Sequence, residues 1–230
     1  MPDTEKLHIE KPRVERPHLD ASQGERLSAD AYRQDFRGRR WVADGRDSWK
    51  LERQQDFQEP RNKSWQAFSR GEWSEAVRLI EQTRDSLLKL SRDAEAHRSH
   101  FFRVRVVEKP IVPYLEWELT SLRMRAELLG KIKVWEPEKL SGTERLAQME
   151  ESGPLPEIVT LGGHTLYQVL YDDRGIADGA IRFTDSGLIE HWERFIQDLY
   201  GEAEDMAPFF DREVAPLTAL RSKRESQQEA

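Results

Sequence analysis

At 230 residues the chain is long enough for one ordinary domain with extensions and short for two. Its 37% hydrophobic and 34% charged content leaves part of it with little to add to a core, and a net charge of -7 argues against nucleic-acid or anionic-membrane binding by the whole surface. The absence of cysteine excludes disulfides, thiolate zinc sites and cysteine nucleophiles. No apolar run approaches the roughly 18 residues that span a bilayer, and Met1–Glu10 lacks the apolar core of a signal peptide, so a cytoplasmic protein is expected.

Residues 1–30 are polar and punctuated by Pro2, Pro12 and Pro17, which predicts a disordered or extended arm. From 31 to 72 the chain is aromatic, with Tyr32, Phe36, Trp41, Trp49, Phe57, Trp65 and Phe68 interleaved with arginines. Aromatic rings beside guanidinium groups can form a nucleic-acid surface. The plainer reading is short helices and loops that pack rings inward while arginines reach solvent, with Asp35, Asp44, Asp47, Glu52 and Asp56 diluting the positive field.

An α/β domain is expected over 73–212. Ala76, Ile80, Thr83, Leu87, Leu90 and Ala94 recur at three and four residues and predict one helix over 73–97. Phe101–Val107, rich in β-branched residues, predicts a strand. Pro113 opens a second helix with Leu115, Leu119, Leu122, Ala126 and Leu129 on one side and Gly130 as its stop. A short strand at Ile132–Trp135 and a short helix at Thr143–Glu150 follow. Strands at 157–161, 165–171 and 179–184 come next, the last two joined by a turn with Gly175 at positive φ. A helix over 187–200, capped by Asp185 or Ser186, buries Leu188, Trp192, Phe195, Ile196 and Leu199. The fold class is therefore α/β: a single domain with a small mixed sheet, flanking helices and an extended N-terminal arm. Residues 213–230 read as a charged tail.

Arg103-Val104-Arg105-Val106-Val107-Glu108-Lys109-Pro110, followed by Tyr114 and Glu118, resembles a family of uncharacterised actinobacterial proteins, a domain of unknown function abundant in streptomycetes. Trp49-Lys50-Leu51-Glu52, Gly130–Val134, the strand pair over Tyr167–Thr184 and the segment Leu188–Pro208 match further blocks of that pattern, so the resemblance covers about 49–212. The chain departs from it at Glu157–His164, where the family shows an acidic-aromatic run. The resemblance implies no established activity; its members are often encoded beside helix-turn-helix regulators. The layout also resembles a degenerate phospholipase D fold, but Leu166 and Tyr171 occupy the lysine and aspartate offsets after His164, so phosphodiesterase chemistry does not carry over by resemblance.

Arg103 and Arg105 alternate with valines and share one face of their strand, about 7 Å apart. Together with the N-terminus of the helix led by Tyr114, and with Glu118 and His164, they form the candidate anion site. The structural alternative is that Glu116, Glu118 or another acid neutralises the arginines. His97 and His100 at i, i+3 have no third ligand at matching spacing, so no metal is expected. Gly162-Gly163-His164 reads either as an imidazole presented to a pocket or as a simple hairpin. Eight acidic residues between 186 and 213 form either a solvated face or a docking face for a basic partner.

No nucleophile elbow, phosphate-binding glycine loop, dinucleotide fingerprint or zinc-protease motif occurs. The expected function is a non-catalytic regulatory or protein-interaction module with a protein partner, a helix-turn-helix regulator on the family resemblance. No catalytic residue or cofactor is assigned. A phosphate-handling phosphodiesterase on the degenerate scaffold is the alternative, and nucleic-acid binding through the aromatic and arginine segment is the second.

Overall fold

The computed structural model describes residues 13–139 and 142–228; the expectations for Met1–Pro12 and the last two residues lie outside the described residues. In chain order the elements are β1 (Glu25–Ser28), α1 (Ala29–Arg39), β2 (Ser48–Glu52), α2 (Lys63–Ser69), α3 (Trp73–Glu81), α4 (Arg84–His97) and β3 (Phe101–Val106). They continue with α5 (Pro113–Leu129), β4 (Ile132–Trp135), α6 (Gly142–Met149), β5 (Glu157–Leu161), β6 (Thr165–Tyr171) and β7 (Ala177–Phe183). Last come α7 (Ser186–Glu202), β8 (Glu204–Asp205), α8 (Met206–Phe209) and α9 (Ala215–Gln228).

One mixed sheet organises these elements, in the order β1-β7-β6-β5-β2-β3-β4-β8 among the described residues. Strands β2, β3 and β4 are parallel, and every other pairing is antiparallel. The mixed α/β class is as the sequence predicts, but eight strands make the sheet larger than expected. Four central residues explain much of the difference. Trp49-Lys50-Leu51-Glu52, within the segment read as short helices and loops, forms most of β2 between β3 and β5. Backbone pairing on both sides makes a strand of a stretch whose charges conceal its alternation.

Register and alternation divide the sheet into two faces. Trp49, Leu51, Val104, Val106, Ile158 and Leu166 point to one side, where α7 covers them with Ile189, Trp192, Phe195, Ile196 and Leu199. Asp185 caps α7 by accepting the Leu188 N–H at 2.7 Å. The opposite face meets α5, α3 and α8 through Val107, Leu115, Leu119, Val134 and Phe209. It meets α1 through Val159, Leu161 and Tyr167, against which Tyr32 and Phe36 pack.

The single helix predicted over 73–97 is two, α3 and α4. The chain breaks at Gln82–Thr83, where the Thr83 hydroxyl donates to the Ile80 carbonyl at 2.8 Å and competes with helix continuation. The charged tail is also ordered as far as residue 228: α9 runs back along the molecule, with Arg221 gripping Glu116 through two hydrogen bonds of 3.0 and 2.6 Å. Pro113 at the start of α5 and Gly130 after it (φ 62°) act as the sequence predicts.

At the sheet edge, β1 approaches β7 so closely that a Cβ on Gly179 (φ 127°) would lie 2.0 Å from the Leu27 carbonyl oxygen. Gly179→Ala is therefore expected to push β1 from its register and cost about 2 kcal/mol in urea unfolding. Wild-type stability in that variant would show that β1 can shift freely.

Candidate functional site

The face of the sheet opposite α7, toward α1 and α5, carries a belt of ionisable side chains where apolar ones are usual. Lys50 and Glu52 on β2, Arg103 and Arg105 on β3 and Glu157 on β5 all project from this face. Helix α5 adds Tyr114, Glu118 and Arg125.

At one end the belt is closed. Arg105 is fully buried; its Nε donates to Glu118 Oε2 at 2.8 Å, and its terminal nitrogens donate to the carbonyls of Gln54 (2.7 Å) and Val106 (3.1 Å). Burial raises the Glu118 carboxyl above its usual range, against the pull of Arg105. Tyr114 donates its hydroxyl to Glu59 at 2.7 Å. These three predicted site residues thus satisfy internal partners, the structural alternative set out above. His164 sits apart, in the β5–β6 hairpin, where its Nδ1 lies 2.7 Å from the Thr165 hydroxyl. Burial, then the nearby Arg39 charge, lowers its pKa. The glycines before it, Gly162 and Gly163, adopt φ of 52° and 70° and close that hairpin.

Near the closed end, Glu157 accepts from the backbone N–H groups of Arg53 and Gln54, both at 2.7 Å, through Oε1, while its buried Oε2 has no hydrogen bond. Burial and the adjacent Glu52 charge push its pKa up to about 7. Burial acts on Glu52 in the same sense, but Arg103, Lys50 and Arg105 together outweigh it and hold that carboxyl down at about 2.

The other end of the belt is open. Lys50 and Arg103, side by side in register, form the floor of a recess of about 170 Å³ between α1, α4 and the C-terminal end of α5. Arg40, just after α1, and Arg125 of α5 complete its cationic lining, with Tyr32, Phe36, Phe101, Leu90 and Leu129 as apolar walls. Among the described residues one carboxylate, Glu52, contacts this group: it meets Lys50 and lies 3.0 Å from Arg103, without the alignment of a hydrogen bond, while Asp93 and Glu59 act through space on Arg40 and Arg125.

Arg125 makes no hydrogen bond or ion pair among the described residues; burial and the Arg103 charge lower its pKa to about 10. Arg40 is held by rings, its guanidinium carbon 4.8 Å from the Trp41 centroid, 5.2 Å from Phe101 and 5.9 Å from Phe36. Its Nε is buried without a hydrogen bond. Burial, then Arg103, lowers its pKa as well.

Of the five residues of the predicted anion site, Arg103 alone lines this recess; Lys50, Arg40 and Arg125 stand outside that prediction, although Arg40 belongs to the arginines of the aromatic segment. The Arg125 signal lay in spacing, seven residues after Glu118 and so on the same helical stripe.

Several residues of the other candidates have internal partners. Trp49 and Phe57 of the aromatic segment, and Trp73 just after it, are buried in the clusters on the two faces of the sheet. Within the acidic stretch, Asp198 pairs with Arg145 at 2.7 Å, Glu204 and Glu213 pair with Arg212, and Glu193 is buried. His97 bonds Asp44 at 2.7 Å and stacks on Trp41. No group of three metal-ligating side chains occurs among the described residues, and none of their helices is long and apolar enough to cross a membrane.

Neither the curated proteins nor the solved structures contain a match to the chain. A family model does match, from Phe36 in α1 to Asp211 beyond α8, and so takes in the entire charged belt and all four cations of the recess. Spanning residues 36–211, that match places the chain in the family described as Domain of unknown function (DUF6879).

Proposed function

We propose that the domain is a non-catalytic regulatory module that binds a small anion in the recess between α1, α4 and α5 and acts through a protein partner. One observation carries the reading: Arg40 and Arg125, two guanidinium groups that no carboxylate contacts among the described residues, converge with Lys50 and Arg103 on one recess. Like charges side by side on neighbouring strands cost stability, and half-buried cations without counter-charges cost more. A fold keeps such an arrangement where a ligand supplies the missing charge. The regulatory role and the helix-turn-helix partner rest on the resemblance of the Arg103–Pro110 block and its flanking motifs.

Phosphate and sulfate are expected to raise the melting temperature relative to chloride at equal ionic strength, by the equivalent of about 2.7 kcal/mol at a hundredfold excess over Kd. Arg125→Met is expected to abolish that gain and, by removing an uncompensated charge, to raise unliganded stability by about 1 kcal/mol. Should neither anion stabilise the wild type, or should Arg125→Met unfold more easily than it, the anion reading fails. The partner is tested by co-purification from the native host at low salt, where recovery of the bait alone counts against the regulatory role.

A further inference from the structure

Resting on the anion reading, we infer that the ligand is a compact phosphate monoester, its dianionic head on Lys50 and Arg103 and its organic part no larger than a single ring between α1 and α5.

Charge comes first. Four cations meet one contacting carboxylate among the described residues, Glu52; Asp93 acts on Arg40 and Glu59 on Arg125 only through space, so positive charge remains in surplus and a monoanion would leave it mostly uncompensated. A phosphate monoester is doubly ionised above its second pKa of about 6.

Direction comes second. The donors arrive from four places in the fold: Lys50 and Arg103 from the strand floor, Arg40 from the end of α1 and Arg125 from α5. A planar carboxylate is satisfied by one guanidinium fork in its own plane. A tetrahedral head with three terminal oxygens can accept from several sides at once. Glu52 already takes up Lys50 and Arg103 in part, so the head would join an existing cluster, while Arg40 and Arg125 offer donors that no carboxylate among the described residues uses.

Size and surface come third. A cavity of about 150 Å³ holds one benzene molecule. A recess of about 170 Å³, open to solvent, takes a phosphate head with one small group and leaves no room for both base and sugar of a nucleotide. Above the cationic floor the walls are Tyr32, Phe36, Phe101 and Leu129, surfaces that reward an apolar substituent.

Isothermal titration of the full chain at constant ionic strength tests this with four probes: inorganic phosphate, phenyl phosphate, benzoate and adenosine monophosphate. Phenyl phosphate is expected to bind about tenfold more tightly than inorganic phosphate, as burial of part of a ring implies. Benzoate, with one charge, is expected to bind at least about tenfold more weakly than phenyl phosphate, and adenosine monophosphate no more tightly than inorganic phosphate. Equal affinity for phosphate and phenyl phosphate removes the organic part of the inference. Equal affinity for benzoate and phenyl phosphate removes the dianion, and adenosine monophosphate matching phenyl phosphate removes the size limit. In each of those outcomes the anion reading survives; in this titration it falls if no probe binds. Arg40→Gln and Arg125→Met fix the location, because wild-type affinity for phenyl phosphate in both variants would put the ligand elsewhere and overturn the inference.

Discussion

Arg105→Ala is expected to destabilise the unliganded protein by about 3–5 kcal/mol, measured by urea unfolding with the m-value checked for two-state behaviour. The guanidinium is fully buried and holds Glu118 at 2.8 Å while answering the carbonyls of Gln54 and Val106. Alanine leaves a carboxylate and these acceptors inside the protein without partners, and the uncompensated charge is the larger part of the cost. Removing both charges changes the outcome. Arg105→Met combined with Glu118→Leu is expected to recover most of the loss, since a buried pair is often worth no more than apolar residues of similar volume. A loss under about 1 kcal/mol in Arg105→Ala would show that water reaches this end of the belt.

Arg103 and Arg105 stand two residues apart on one strand, yet the consequences of changing their neighbours have opposite signs. At Arg105 the charge is matched, and breaking the match costs stability. Around Arg103 the charges are unmatched, and Arg125→Met relieves a cost. Proximity to a helix N-terminus and shared strand face, the features visible in sequence, do not separate these cases. What separates them is which carboxylate each guanidinium meets in three dimensions. Glu118, one turn into α5 from Tyr114, reaches Arg105. One helical stripe further along, the position facing the sheet is occupied by Arg125 instead of an acid.

Much of this was legible from local chemistry. The alternation of Arg103 with Val104 and Arg105 with Val106, the proline-led start of α5, its stop at Gly130 and the β5-β6-β7 meander all follow from spacing and turn residues. The recess was not legible, because its parts come from segments with weak signals. Lys50 lies in a short, charged stretch that becomes a strand only through pairing with β3 and β5. Arg40 follows a helix with no fully buried residue, α1, whose position depends on the tertiary contacts of Tyr32 and Phe36 with Tyr167. His164 was grouped with the arginines on chemistry alone, and the hairpin directs it to Thr165. Long-range pairing decides such placements.

A pH titration of stability is expected to expose Glu157. In the folded protein its pKa is about 7, raised by burial and by Glu52, whereas in the unfolded chain it returns to the ordinary value of 4.5. Between those values the folded state binds the proton and the unfolded state does not, so stability falls as pH rises. The contribution is fully present below about pH 4.5, is lost as pH rises through about 7 and changes little beyond. The total is on the order of 3 kcal/mol. Glu52 acts in a separate window: held down at about 2, it adds stability above its unfolded pKa that is lost as pH falls toward its folded value. Glu157→Gln keeps an acceptor for the Arg53 and Gln54 N–H groups and removes the titration. The variant should therefore match the wild type near pH 4.5 and exceed it by about 3 kcal/mol at pH 8. Other carboxyls, Glu118 among them, contribute to both proteins, so the difference between the two curves isolates Glu157. Parallel curves across this range would mean that Glu157 is ionised at neutral pH in the fold, with Arg105 and the two backbone N–H groups outweighing burial.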